Sequence, residues 1–341
     1  MLFAKARKKD GQAVLEFLIE NGAFAKGYRV INEGDSVYFP ISRRLEGDFE
    51  TVEMDAEPLP PQITRMKDAL AGVLTEEEME KLVTSFDIIG DVAIIDIPEA
   101  LVGKEKDIAD AILAVHRSIR VVAKKMGAME GEYRVRPLKV IAGEDRTETV
   151  YTEHGVRMRL DPAKVYFSVR LSAERKRIAE LVRPDEKILA LFAGVGPFPL
   201  VIAKRHPDAR IVAIELNPEA VRYMKGNIAL NRFKNIEAVE GDARGVVLSR
   251  YRDFADRVLM PLPKSADSFL DVAIAGAKDG GTVHFYAFAP EADPYSAARK
   301  RIEEEAGKAG ASVVFLNERV VRPYAPRIVQ VSIDFSVRKK G

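Results

Sequence analysis

Three stretches decide the fold. The first, Ile188-Leu189-Ala190-Leu191-Phe192-Ala193-Gly194-Val195-Gly196-Pro197-Phe198, is an apolar run closed by a glycine turn; Ile211-Val212-Ala213-Ile214-Glu215 and Val239-Glu240-Gly241-Asp242 follow it. Each reads as a short strand with a glycine turn or a carboxylate at its C-terminal end. An open parallel α/β sheet presents a nucleoside in this way, because ligands sit outside the carboxyl ends of its strands at a topological switch point. Glycine lets the backbone approach the ligand, and Glu215, nineteen residues after Gly196, is placed to accept hydrogen bonds from ribose hydroxyls. Asp242 is placed to do the same for an adenine edge.

Two adenine cofactors fit that layout. A dinucleotide needs G-x-G-x-x-G, since pyrophosphate and a closely packed helix leave no room for a third side chain. Here Pro199 occupies the third position, and Pro197 stands in the first helical turn, where a missing N–H costs little. The turn can start a helix but cradles pyrophosphate poorly. S-adenosylmethionine (AdoMet) carries no phosphate and needs only the turn and the carboxylates, so it is favoured over NAD. The plainer alternative is a glycine turn closing a buried βα unit, with both carboxylates merely solvated.

The 341 residues are enough for two or three domains, and 47% hydrophobic content supplies their cores. Met1 to Lys9 is already charged and no run of eighteen apolar residues occurs, so neither a signal peptide nor a membrane span is expected, and the location expected is cytoplasmic. The absence of cysteine removes disulfides, thiolate metal sites and thiolate nucleophiles, and with them the pyrimidine-C5 methyltransferases that attack a base through sulfur. Charged residues reach 31% but the net charge is only +1, so a nucleic-acid footprint must be local. The stretch from His116 to Lys139 offers one: Arg117, Arg120, Lys124, Lys125, Arg134, Arg136 and Lys139 face only Glu130 and Glu132. Such a surplus can hold phosphates. A solvated face is its bland alternative.

Organisation follows from composition and periodicity. A strand at Leu2 to Ala6, a helix from Asp10 to Asn21 and a strand at Val37-Tyr38-Phe39-Pro40 precede Glu57-Pro58-Leu59-Pro60-Pro61, whose prolines break helix and strand alike. A second unit has helices around Thr75 to Thr84 and Lys106 to Val115, a strand Val92 to Ile97, and strands near Arg120 and Arg134. From Asp161 the chain reads as alternating strand and helix to its end, the pattern of a doubly wound parallel sheet. The expected architecture is therefore α/β, a Rossmann-like AdoMet-binding domain over residues 158–341, preceded by two smaller α/β domains over 1–61 and 62–157.

Between these readings lies a family pattern. Gly131-Glu132-Tyr133-Arg134-Val135-Arg136, Asp161, Ala163-Lys164-Val165-Tyr166-Phe167-Ser168, Arg170-Leu171, Glu174-Arg175, Phe192 to Phe198, Asn217-Pro218, Asn227, Asn231, Leu262-Pro263-Lys264 and Tyr324-Ala325-Pro326-Arg327 occur in this order. Together they resemble the Trm5-type tRNA (guanine-37-N1)-methyltransferases of archaea and eukaryotes. The resemblance implies a class I methyltransferase that takes tRNA as partner, touching its outer corner with the first domain and its anticodon loop with the rest. It implies Glu174 as general base for the guanine N1 proton and Arg134 as the group stabilising charge on O6. Cofactor contacts fall on Phe192, Gly194, Gly196, Glu215, Leu216, Asp242 and Ala243. Arg136, Tyr166, Phe167, Arg170, Pro261 and Pro263 would shape the base pocket. No metal and a monomeric enzyme are expected.

The chemistry agrees with these roles. Guanine N1 is protonated at neutral pH, a carboxylate can remove that proton, and a guanidinium at O6 stabilises the charge left behind. Taken alone, Glu174 reads as a helix-surface partner of Arg177 or Lys176, and Arg134 as a phosphate-binding or surface arginine. Two positions depart from the pattern. Ala190 stands where relatives place an acid, and Pro261-Leu262-Pro263 replaces their Asn-Leu-Pro. The second departure resembles a subgroup that also methylates C7 of 4-demethylwyosine, giving isowyosine, although proline there can equally do no more than stiffen the loop. Transfer of the aminocarboxypropyl arm of AdoMet, or a non-catalytic tRNA-binding role, are the remaining alternatives.

Overall fold

The computed structural model describes residues 1–59, 65–127, 131, 133 and 135–339. Its chain divides into two compact units, Met1–Ala69 and Leu70–Gly341. In the first, strands β1 (Leu2–Arg7), β2 (Ile31–Glu33), β3 (Ser36–Ile41) and β4 (Glu50–Glu53) pair antiparallel in the order β2-β3-β1-β4. Helix α1 (Gly11–Glu20) places Val14 and Leu18 on the core formed by Ala4, Val37, Phe39 and Ile41. Pro40 lies beyond the last β2 pair, Ile31 with Tyr38, an edge-like position where proline is tolerated. A short helix, α2 (Met66–Ala69), ends this unit.

The second unit opens with α3 (Glu76–Lys81), whose Thr75 and Glu78 form a capping box. It is shorter than expected because Leu82 turns extended and the β-branched Val83 and Thr84 follow. Strands β5 (Asp87–Ile89), β6 (Val92–Ile95), β7 (Val121–Lys125) and β8 (Leu138–Gly143) form a second sheet, covered by α4 (Glu105–Val115). The strand expected near Arg134 falls at a residue outside those described; the next described strand is β8. Strands β9 (Thr149–Glu153) and β10 (Val156–Leu160) form a hairpin through His154 and Gly155, both at positive φ. Asn227 and Asn231 clamp that hairpin: Asn227 accepts from the Arg159 N–H at 2.7 Å and Asn231 from the Arg157 N–H at 3.0 Å.

The remainder builds one seven-stranded sheet, ordered β13-β12-β11-β14-β15-β17-β16. Its strands are β11 (Lys187–Leu191), β12 (Arg210–Glu215), β13 (Ile236–Glu240), β14 (Ala255–Met260), β15 (Ala277–Pro290), β16 (Ala311–Ala325) and β17 (Ile328–Lys339). Helices α5 (Ser172–Leu181), α6 (Pro197–Arg205) and α7 (Pro218–Leu230) cover one face; α8 (Ala243–Arg250), α9 (Leu270–Gly276) and α10 (Ser296–Lys308) cover the other. Along β11, Ile188 and Ala190 face the first layer while Leu189 and Leu191 face the second. Burial on both sides explains the unbroken apolar runs. The expected alternation of strand and helix holds to α10 and then fails. Only Pro326 and Arg327 join β16 to β17, too few for a crossover, so β17 pairs antiparallel with both β15 and β16.

Candidate active site

Strand order reverses at β11, between β12 and β14, and there the glycine loop lies. Gly194 and Gly196 adopt φ of +57° and +90°. A Cβ at Gly196 would stand 3.1 Å from Met224 Cγ, so that position needs glycine on two counts. Gly196 caps α6 with Pro197 behind it. Glu215 ties the loop from β12: one carboxylate oxygen accepts the Gly194 N–H at 2.7 Å and the other the Asn217 N–H at 2.8 Å. Each oxygen keeps a lone pair for a ligand hydroxyl. Asp242 caps α8 through the Gly245 N–H at 3.0 Å and is otherwise exposed.

Above these strand ends is a cavity of about 250 Å³. Of the residues named from the sequence, Phe192, Gly194, Glu215, Leu216, Asp242, Ala243, Tyr166, Pro261 and Pro263 line it. Phe192 meets Phe269 edge to face at 4.9 Å, forming an aromatic wall. The described lining carries two carboxylates and neither lysine nor arginine. That polarity suits a cationic sulfonium nucleoside and opposes pyrophosphate, so the residues present fit AdoMet.

Glu174, in the first turn of α5, does not line the cavity; it is 2% exposed. Its carboxylate accepts the Tyr286 hydroxyl at 2.7 Å and Arg177 Nη2 at 2.6 Å, and Arg319 Nη1 approaches to 3.4 Å. The ion pair with Arg177 is thus present, but inside the protein and not on a helix surface. Met260 pairs with Phe285, so Tyr286, which holds Glu174, is the next residue along its strand just as Pro261, which lines the cavity, is the next along the neighbouring one. Beneath it the charges continue: Arg177 donates to Asp334 at 2.7 Å, and His284 Nδ1 lies 2.7 Å from the same carboxylate. His284 Nε2 stands 2.6 Å from Arg257 Nη1. Arginine can only donate, so His284 is the neutral tautomer with its proton on Nδ1. Burial pushes its pKa down, consistent with that state. Burial opposes the charge on Asp334, yet hydrogen bonds from His284 and Arg177 outweigh it and hold the carboxyl below the usual range. Burial, and then Glu174, push the Tyr286 phenol well above its ordinary value, so it stays a donor.

The other expected residues scatter. Phe167 turns away from the cavity, packed edge to face on Tyr151 at 5.1 Å with the Arg175 guanidinium over its ring. Arg175 is itself buried against Glu153, at 2.8 Å, so Phe167 serves the interior. Arg170 pairs with Asp87 of β5 at 2.9 Å. Gly196 shapes the loop without lining the cavity, and Arg136 buries an Nε that no described residue satisfies. Arg134 lies outside the described residues. Ala190 is sealed between Ala213 and Leu259, so it leaves no polar group in want of a partner. Tyr133, Asn217, Ser265 and Phe269 also line the cavity. Of these, Tyr133 and Asn217 stand in the quoted family pattern, and Asn217-Pro218 carries a local signal as well, a helix cap followed by proline.

Residues 149–314 match the TRM5/TYW2 methyltransferase domain, residues 66–147 the TYW2 N-terminal domain and residues 5–50 the tRNA methyltransferase 5 N-terminal domain. The tRNA (guanine(37)-N(1))-methyltransferase Trm5b of Pyrococcus abyssi is 42% identical over 98% of this chain and 99% of its own. Taw22 of Nanoarchaeum equitans, a tRNA (guanine(37)-N(1))/4-demethylwyosine(37)-methyltransferase, is 34% identical over 61% of this chain and 84% of its own. The solved complex of aTrm5 and tRNALeu matches with a TM-score of 0.79 at 32% identity, over 98% of this chain and 99% of that one. The likeness runs across nearly the whole of both chains, and the chain belongs to the TRM5/TYW2 methyltransferase family, on its Trm5 branch.

Proposed function

We propose that the chain methylates N1 of guanine-37 in the anticodon loop of tRNA, using AdoMet and no catalytic metal, and that its pocket also accepts 4-demethylwyosine for methylation at C7. Glu174 carries the reading, because a buried carboxylate is held by Tyr286 of β15, the strand paired with the one that leads into Pro261, and Pro261 lines a cavity whose polar side chains suit a cationic nucleoside. Bound AdoMet supplies a methyl group already activated on a positive sulfur. The protein's own part is to free the N1 lone pair and align it. Glu174 takes the N1 proton as general base, and Arg134 stabilises the charge that develops on O6. The target base must leave the loop stack to reach them, and Tyr166, an exposed residue of the cavity lining, offers a ring to stack on it. In this reading residues 1–61 recognise the tRNA corner, 62–157 lie against the anticodon side and 158–341 carry the chemistry.

Glu174→Ala should slow single-turnover methylation by roughly a hundredfold or more, with AdoMet affinity nearly unchanged, as loss of a general base requires. Nucleoside mass spectrometry of tRNA treated with AdoMet identifies the product. Wild-type rates in the variant, or loss of activity on chelation in the parent, would sink the assignment. The second methylation is supported by Pro261, which lines the cavity and offers neither the amide of the asparagine usual there nor a backbone N–H.

A further inference from the structure

Three side chains close over the Glu174 carboxylate, and they are not equally fixed. Tyr286 is 1% exposed, and Arg177 is also bound to Asp334 and Ser332. Arg319 differs. It reaches Glu174 from β16, the edge strand of the sheet, through a single contact of 3.4 Å, and its side chain is 41% exposed. The register explains the arrangement, because Tyr286 pairs with Ser332 and Ser332 with Arg319, a row across three strands beneath the first turn of α5. A carboxylate this enclosed cannot reach a substrate unless one partner withdraws. A half-exposed ion pair holds weakly, so Arg319 is the one that can leave.

We propose that Arg319 covers Glu174 in the free protein and moves onto a backbone phosphate of bound RNA, uncovering the carboxylate as the RNA arrives. The inference rests on the reading that the chain binds tRNA with Glu174 as its base. It makes Arg319 a positioning residue that couples substrate binding to exposure of the base. An arginine already paired with a carboxylate is partly withheld from phosphate, whereas a guanidinium released from that pair is fully available. Glu174 should therefore weaken tRNA binding, and only through Arg319.

The test is the salt dependence of tRNA binding, measured by fluorescence titration on the full chain. Arg319→Gln should reduce the slope of log K against log salt by about one, the signature of a lost phosphate contact, while Arg319→Lys keeps it. Glu174→Gln should tighten tRNA binding roughly two- to fivefold, and the gain should vanish when combined with Arg319→Gln. Unchanged AdoMet affinity in each variant verifies the fold. An unaltered slope in Arg319→Gln, or equal tightening by Glu174→Gln in both backgrounds, overturns the proposal. Single-turnover methylation by Glu174→Gln judges the base separately: a wild-type rate there defeats the base reading, and the salt slopes still decide what Arg319 does.

Discussion

At the scale of single residues, the interior charges are the feature with the clearest pH signature. His284 is neutral and donates to Asp334 while accepting from Arg257. Burial lowers its folded pKa, whereas the unfolded chain protonates it near pH 6.5. Its contribution to stability is thus complete above about pH 6.5 and is lost as the pH falls through the lowered folded value. Asp334, held low, adds a second loss at still more acid pH. His284→Asn keeps a donor for Asp334, but its acceptor oxygen stops short of the place where Nε2 meets Arg257. Urea unfolding should show it less stable by about 1–3 kcal/mol near neutral pH, with a smaller further loss between about pH 7 and pH 5 than the parent. An identical pH slope in the two proteins would remove His284 from the acid response. Pro261 makes a different prediction. An asparagine there offers donors and an acceptor to one base edge, and leaving them unpaired against a tricyclic base costs about 1–3 kcal/mol. Pro261→Asn should keep or improve guanine N1 methylation and suppress C7 methylation of 4-demethylwyosine, read by nucleoside mass spectrometry. If the parent makes no isowyosine from tRNA carrying 4-demethylwyosine, the dual activity fails.

At the scale of elements, the turn from β11 to α6 joins fold to site. Gly194 and Gly196 were legible as a ligand-approach turn because their spacing, and the prolines behind them, constrain the backbone before any tertiary contact forms. Glu215 and Asp242 were legible for the same local reason, each standing at the C-terminal end of a short strand-like run. Gly196→Ala forces a side chain into a left-handed conformation and against Met224, so a stability loss of about 1–2 kcal/mol is expected from the backbone alone. AdoMet affinity should fall with it; calorimetric titration and a urea midpoint measure both, and an alanine variant equal to the parent would contradict this account of the loop. The β16–β17 hairpin was not legible. The two-residue turn at Pro326 and Arg327 excludes a parallel crossover, but it shows as a turn only once the ends of β16 and β17 are known, and no local residue pattern marks those ends.

At the scale of the whole molecule, residues Met1–Ala69 form a compact unit with a core of their own. Their removal should leave AdoMet binding intact and weaken the engagement of full-length tRNA, with little effect on a short anticodon-stem substrate; lost AdoMet binding in the truncated protein would show that this unit supports the catalytic fold. The cofactor side of the molecule could be read from the chain because it is built from consecutive strand ends, where helix caps, glycines and carboxylates act within a few residues of one another. The surroundings of Glu174 could not. Tyr286 and Asp334 lie 112 and 160 positions away in sequence, and they meet this helix only because β15, β17 and β16 pair in one register beneath it. Local chemistry therefore determined the class of fold and the cofactor loop, while the candidate base was named by the family resemblance and not by its own neighbours in sequence. Only the packing of distant strands decided that the base is buried, which arginine holds it and which one covers it, since a hydrogen bond across a sheet depends on strand order and register, neither of which is written in any one segment.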